Sequence, residues 1–579
     1  MTSNSTFLDA MREAAAVAGD ERGFRFYQNP TDSTFTSYAH LDRQARSDAA
    51  ALAAAGHAPG GVVVLAFEPG LEFIRALYAV FYAGLVASPV SVAAMRQPEI
   101  ARRRLEAIVH DAGSRLVLTH GTALLPLGLA EGDTLAGARI ASLASLDSVD
   151  GSADDWTAPA LVPDSLAILQ YTSGSTGVPK GVMVSHGNLV ANEAAITAAV
   201  GITAQSRTMG WLPHYHDMGL VGQLLQPISV AADSVLTSPN QFLRRPNLWP
   251  TLLTRHRSTH TVGPDFAYAL CTRLVTDEQL EALDLSALEG VITGAEPVRA
   301  GTLAEFAARF APAGFRARAF IPAYGMAETT LLVTASVREG AVATVQADAD
   351  GLEQGVLRPA APGARASELV SCGPPAVGHE VAIVDPQSGL RSAPGAIGEI
   401  LVRGPSVAQG YWKRPDATAE TFAATIAGDA AGHRYLRTGD LGALVDGELV
   451  ITGRIKDLII IRGRNLYPQD LESTAAGLLP SGCLSAAFEG TGSLPVVGLV
   501  AEVDTARVSA AELDELAAQV RRSVAEEFLL PELGVALIRK GTLPRTTSGK
   551  VQRGLTRSLL ADDRLATVLT LGFDRVGAP

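Results

Sequence analysis

Val62-Val-Val-Leu-Ala-Phe-Glu-Pro-Gly-Leu-Glu-Phe-Ile-Arg-Ala-Leu-Tyr-Ala-Val-Phe-Tyr-Ala-Gly-Leu-Val-Ala-Ser-Pro-Val90 places two short apolar runs on either side of a helical pattern. The run Val62-Val-Val-Leu65 is mostly β-branched and predicts a buried strand, residues 71–82 predict a helix, and residues 85–90 predict a second strand. Residues 76–95 carry no charge and are long enough to cross a bilayer. Gly84 and the Ser88-Pro89 pair interrupt them, however, and no second such segment follows. The stretch therefore reads as a buried helix running into a buried strand, the repeating unit of a parallel sheet.

The same texture continues outward. A charged helix is expected near Arg102 to His110, with further strands at Leu116-Val-Leu118, at residues 166–169 and at Val291-Ile-Thr293. From about residue 375, apolar runs such as Val381-Ala-Ile-Val384 and Glu448-Leu-Val-Ile-Thr452 alternate with Gly- and Pro-containing turns, which predicts a small antiparallel, barrel-like β unit. After Arg454 two helical patterns flank a strand near residues 496–503, so a separate α+β domain is expected there. The fold class is α/β, with a large N-terminal domain over 1–453 built of parallel α/β subdomains plus the β unit, and a C-terminal domain over 454–579. Residues 331–370, rich in Ala, Gly and Asp with little strand pattern, read as a long irregular connection.

Composition narrows the function classes. The 579 residues hold 47 basic and 60 acidic side chains, a net charge of −13 that disfavours nucleic acid as a partner. The three cysteines, Cys271, Cys372 and Cys483, are far apart, which excludes a disulfide framework or CxxC zinc site. Asp9, Arg12 and Glu13 fall where a signal peptide would need an apolar core, so a cytoplasmic protein without a membrane span is expected.

Chemistry concentrates in a few clusters. Tyr171-Thr-Ser-Gly-Ser-Thr-Gly-Val-Pro-Lys-Gly181 follows an apolar run and precedes a helical pattern. Its glycines let backbone approach anionic oxygens, its hydroxyls donate to them and Lys180 adds charge, although Gly181 after Lys180 rules out a Walker A loop. Only five of the 47 basic residues are lysines, and three of these, Lys180, Lys456 and Lys550, fall inside dense motifs. Against an arginine-rich background they mark places needing a compact ammonium. His214, His216 and Asp217 in Trp211-Leu-Pro-His-Tyr-His-Asp-Met-Gly219 lack a further ligand at zinc spacing. Glu328 could hold a hard cation or sit at a helix N-terminus, Tyr324 could stack on a base or fill core, and Asp440 could accept from ribose hydroxyls or form a turn.

In order, YTSGSTGVPKG, GAEP, YGMAETT, YLRTGD, GRIKD and TTSGK resemble the motifs of adenylate-forming enzymes over residues 169–553. The resemblance implies that ATP and a carboxylic acid give an acyl-adenylate and pyrophosphate. It implies that Thr172, Ser173, Gly174, Ser175, Thr176, Gly177 and Lys180 cradle the phosphates, and that Tyr324, with Gly325, Met326 and Thr329, receives adenine beside Gly294, Ala295 and Glu296. It further implies that Glu328 holds Mg²⁺, Asp440 and Arg454 bind the ribose, Lys456 is the hinge of a mobile C-terminal lid, and Lys550 reaches the carboxylate and α-phosphate.

Within that superfamily the chain is most similar to the fatty acyl-AMP ligases. His216 in WLPHYHDMGL stands where those enzymes carry a histidine near the acyl pocket, and residues 331–370 fall where they carry an insertion thought to restrain the lid. Arg464 stands where CoA ligases commonly have a small residue beside the pantetheine route; it either obstructs that route or binds CoA phosphates. The implied partners are a fatty acid and an acyl carrier protein acting in trans, in a polyketide, nonribosomal peptide or lipid pathway. A medium- or long-chain acyl-CoA synthetase is the alternative, and a catalytically silent acyl-nucleotide-binding scaffold is the non-enzymatic rival. Against the scaffold, Lys550, Glu328 and the hydroxyl-rich loop are all present.

Overall fold

The computed structural model describes residues 5–92, 98–146, 153–172, 179–336, 340, 342–480, 482–491, 494–506, 508–546 and 549–573. The opening stretch folds as its pattern predicts. Strand Val62–Ala66 leads into helix Leu71–Tyr82, and strand Val86–Pro89 returns parallel to the first. Gly84 makes the reversal with φ +67°, and a Cβ there would meet the Pro159 ring at 2.8 Å. Residues Ala76 to Tyr82 are almost wholly buried in the largest apolar core, which accounts for their uncharged run. Among the described residues no helix is long and apolar enough to cross a membrane.

Two large sheets carry the N-terminal part. One has seven strands, with Val62–Ala66 at its centre and the antiparallel pair Leu166–Thr172 and Lys180–Ser185 at one edge. The other has eight strands. Its parallel centre, Arg207–Gly210, His260–Gly263, Gly290–Thr293 and Phe320–Gly325, is closed at one edge by antiparallel Leu332–Ala335. The β unit is an open four-stranded antiparallel sheet, Glu380–Val384, Gly398–Arg403, Leu436–Val445 and Glu448–Arg454, rather than a closed barrel.

Residues 331–370 are not the irregular connection their composition suggests. Strand Leu332–Ala335 is followed by a hairpin of Thr344–Asp348 with Ala366–Val370, and a short helix, Ala349–Glu353, leaves the first hairpin strand. Val345 and Ala347 turn inward while their neighbours face solvent, a half-exposed alternation too short and too Ala-rich to stand out.

Beyond Arg454 a four-stranded sheet, Ser485–Glu489, Val497–Val503, Leu533–Arg539 and Thr567–Leu571, packs with helices Pro468–Ala476 and Ala510–Glu527 around its own core. Ahead of it stands the hairpin Ile459–Ile461 with Arg464–Leu466, turned by Arg462 and Gly463, both at positive φ.

Two buried histidines make the fold acid-sensitive. Burial pushes the imidazole of His186 down to about 4 and that of His214 down to about 3. Unfolded, each takes up a proton near pH 6.5. The unfolded chain therefore binds more protons below that pH, so this stabilisation is complete above it and is lost as the pH falls toward 4. Each histidine is expected to cost about 2 kcal/mol between pH 7 and pH 5. Thermal denaturation at the two pH values checks this: His186→Gln should flatten the dependence, and an equally steep slope in the variant would contradict it.

Candidate active site

The site forms where both large sheets, the β unit and the C-terminal domain meet. Strand pairing sets Lys180 directly beside Thr172. Ser173, Gly174, Ser175, Thr176 and Gly177 lie outside the described residues. The Lys180 ammonium rests over the Tyr411 ring, 4.9 Å from its centroid.

At the end of strand Gly290–Thr293, Gly294 packs so closely on its neighbour strand that a Cβ would stand 2.6 Å from the Ala323 carbonyl. Ala295 takes φ +67°, turning the chain so that Glu296 accepts the Phe266 N–H at 2.8 Å. Burial pushes the Glu296 carboxyl above its usual range.

Strand Phe320–Gly325 delivers Tyr324, and the 3-10 turn Ala327–Thr329 delivers Glu328, so Glu328 is not at the N-terminus of a longer helix. A Cβ at Gly325 would overlap the Leu331 carbonyl oxygen, so the turn closes only over glycine. Met326 lies between them and accepts the Thr329 hydroxyl on its carbonyl at 2.9 Å. Thr329 is fully buried and its hydroxyl serves this turn. Thr330 is held at φ +68°, a strained value for a β-branched residue. Asn192 holds the turn from behind: its amide donates to the carbonyls of Leu332 at 3.0 Å and Thr329 at 3.3 Å, and accepts the Leu332 N–H at 3.1 Å.

Tyr324 is buried and donates its hydroxyl to Asp440 Oδ2 at 2.8 Å, while Asp440 Oδ1 pairs with Arg454 Nε at 2.8 Å. Asp440 belongs to strand Leu436–Val445 rather than to a turn, directly across from Arg454. Lys456 follows in the turn Ile455–Asp457, where burial and the neighbouring Arg454 lower its ammonium pKa.

On the opposite wall His216 Nδ1 stands 2.6 Å from Asp217 Oδ1, and Asp217 also accepts the Met218 N–H at 2.7 Å. Burial alone would raise the Asp217 carboxyl, but the His216 ring and the Lys550 ammonium hold it at about 2. Lys550 itself is half-buried; desolvation lowers its pKa, and it faces the opposing charges of Asp217, Glu296 and Asp440. Arg553 anchors the end of its loop, bonding Glu472 at 2.6 and 2.7 Å and Asp457 at 3.2 Å.

The described residues among those named from sequence therefore converge, and three more emerge that no motif indicated: Tyr411, Asn192 and Glu353. Asn192, mid-helix among apolar residues, is a residue type that weakens helices unless its amide is used elsewhere. Glu353 ends the short helix of the 344–370 hairpin and binds Arg464 Nε at 2.6 Å and Arg365 at 2.6 Å. Arg464 also donates to the Phe528 carbonyl at 3.0 Å, so its guanidinium is already committed. The two arginines hold the Glu353 carboxyl below its usual range against the opposing effect of burial.

A family model described as AMP-binding enzyme matches residues 11–412. Medium-chain-fatty-acid acyl-carrier-protein ligase JamA of Moorena producens is 39% identical, over 96% of this chain and 94% of its own. A putative fatty-acid–CoA ligase, FadD21 of Mycobacterium tuberculosis, is 34% identical over 95% and 97%. The fatty acyl-adenylate ligase from L. pneumophila, solved in complex with acyl adenylate and pyrophosphate, superposes with a TM-score of 0.75 at 33% identity, covering 99% of this chain and 98% of that one. The chain belongs to the AMP-binding enzyme family.

Proposed function

We propose that this chain activates a fatty acid with ATP to acyl-AMP and pyrophosphate, then passes the acyl group to the phosphopantetheine thiol of an acyl carrier protein acting in trans. In the first step a carboxylate oxygen bonds to the α-phosphorus and the bond to the pyrophosphate oxygen breaks. In the second, the thiol gives up its proton, its sulfur bonds to the acyl carbon, the acyl–phosphate bond breaks, and AMP leaves. Negative charge accumulates around the α-phosphorus, where Lys550 stabilises it while Thr172 and Lys180 hold the phosphates. Tyr324 and the 294–296 turn receive adenine, and Asp440 with Arg454 receives the ribose. His216, held by Asp217, faces the carboxylate end of the acid. Asp217 is occupied by His216 and opposed by Lys550, which leaves it poorly placed to hold an amino acid's α-ammonium.

Glu328 would hold Mg²⁺. Among the described residues no group of three His, Cys, Asp or Glu side chains is placed to hold a metal ion, and a single half-buried carboxylate suits an ion that would complete its shell with phosphate oxygens and water. When bound, the ion neutralises phosphate charge.

The observation that carries the acyl-carrier reading over the CoA reading is the Arg464–Glu353–Arg365 cluster, which fastens the 344–370 hairpin to the C-terminal domain. The test is the intact mass of a holo acyl carrier protein incubated with the enzyme, ATP, Mg²⁺ and dodecanoic acid. Gain of one acyl mass supports the reading. An unmodified carrier, with acyl-CoA formed when CoA is supplied, would favour the synthetase alternative.

A further inference from the structure

Tyr411 belongs to the segment Gln409-Gly-Tyr-Trp412, which lies across two parts of the site at once. On one side it runs along strand Lys180–Ser185: the Trp412 N–H donates to the Gly181 carbonyl at 2.8 Å, and Met183 exchanges backbone bonds of 2.9 Å with Gly410 and Gln409. On the other side the Ala408 N–H donates to the carbonyl of Glu328 itself at 2.9 Å. The phosphate-loop exit and the acidic turn come from different sheets, and this segment joins them.

The Tyr411 side chain repeats that connection. Its hydroxyl donates to Glu328 Oε1 at 2.9 Å. The face of its ring carries the Lys180 ammonium at 4.9 Å, the geometry of a cation–π contact. The ring is only 8% exposed and is fixed edge-on by Phe422 at 5.1 Å, while the Tyr411 N–H donates to Thr418 Oγ1 at 2.9 Å. One rigid side chain therefore touches both the lysine after the phosphate loop and the Glu328 carboxylate. A lysine has four freely rotating bonds and an unrestrained glutamate three, so their relative placement needs such a support.

From this geometry we infer that Tyr411 is a positioning residue for adenylation: it braces Lys180 and Glu328 against each other, so that cation and carboxylate are presented together to one metal-bound triphosphate. The inference rests on the reading of Glu328 as the Mg²⁺-holding residue.

Two variants separate the contacts. Tyr411→Phe keeps the ring, its packing and the contact to Lys180, and removes the hydroxyl with its bonds to Glu328 and to the Thr421 side chain. Tyr411→Leu removes both contacts. For Tyr411→Phe, the Mg²⁺ concentration giving half-maximal pyrophosphate release should rise about tenfold, with KM for the fatty acid unchanged. Calorimetric affinity for ATP should fall about tenfold with Mg²⁺ present and stay unchanged in EDTA, a readout independent of turnover. Tyr411→Leu should also weaken ATP binding in EDTA, because Lys180 loses its support. Transfer from supplied acyl-AMP to the carrier should be unaffected in both variants.

Wild-type Mg²⁺ dependence and Mg·ATP affinity in Tyr411→Phe would overturn the brace, as would equal losses in both half-reactions, the mark of a merely structural residue. Glu328→Gln is the companion measurement. If it too shows wild-type Mg²⁺ dependence, the metal reading falls along with the brace. If it is impaired while Tyr411→Phe is normal, the brace alone falls.

Discussion

Lys550→Ala is expected to slow pyrophosphate release by two to three powers of ten, about the effect of removing one preorganised charge from a developing transition state. The half-buried lysine faces Asp217, Glu296 and Asp440, so its removal also takes one cation from an acidic wall that the incoming carboxylate and triphosphate must approach, leaving Arg454 on Asp440 and His216 on Asp217. Its loop is fixed at both ends. The Thr546 N–H donates to the Lys550 carbonyl at 2.8 Å, the Lys550 N–H donates to Thr546 Oγ1 at 3.1 Å, and Arg553 is tied to Glu472 and Asp457. The alanine variant should therefore fold normally and lose only the ammonium. Because that charge serves the first step, transfer from supplied acyl-AMP to the carrier should change by less than about threefold. Pyrophosphate release near the wild-type rate would remove Lys550 from the chemistry.

The second large effect is expected at the other side of the C-terminal domain. Arg464→Ala or Glu353→Ala breaks a partly buried pair at 2.6 Å that joins the 344–370 hairpin to the C-terminal domain. A charge-assisted hydrogen bond of this kind contributes about 1.5–3 kcal/mol, enough to shift the docking of the hairpin on the C-terminal domain by about ten- to a hundredfold. Both variants should form acyl-CoA from acyl-AMP at least about tenfold faster than the wild type, and the charge-swapped double variant Arg464→Glu/Glu353→Arg should return toward wild type. Acyl-CoA formation unchanged in both single variants would show that the cluster does not restrain CoA use. The sequence left two readings of Arg464 open, obstruction or CoA-phosphate binding. Its commitment to Glu353 and the Phe528 carbonyl favours the first.

Much of the fold was legible because buried parallel strands and their crossover helices leave uninterrupted apolar runs, as at residues 62–90. Lysine scarcity separately marked Lys180, Lys456 and Lys550, all three of which the fold brings toward the same cleft. What stayed hidden depends on long-range geometry. For Asp440 a turn stayed open beside the ribose reading because Gly439 precedes it, yet that glycine, at φ +70°, lies within a ten-residue strand. The 344–370 hairpin is half exposed, so its alternation is weak. Tyr411 carried no signal at all: its chemistry comes from Glu328, 83 residues earlier, and from Lys180 on another sheet.

The most direct measurement is mass spectrometry of the products from enzyme, ATP, Mg²⁺ and dodecanoic acid, with and without CoA. Accumulation of dodecanoyl-AMP at the same level in both reactions, with no dodecanoyl-CoA, is the predicted result. Rapid conversion to dodecanoyl-CoA when CoA is present would contradict it and identify the chain as a CoA synthetase.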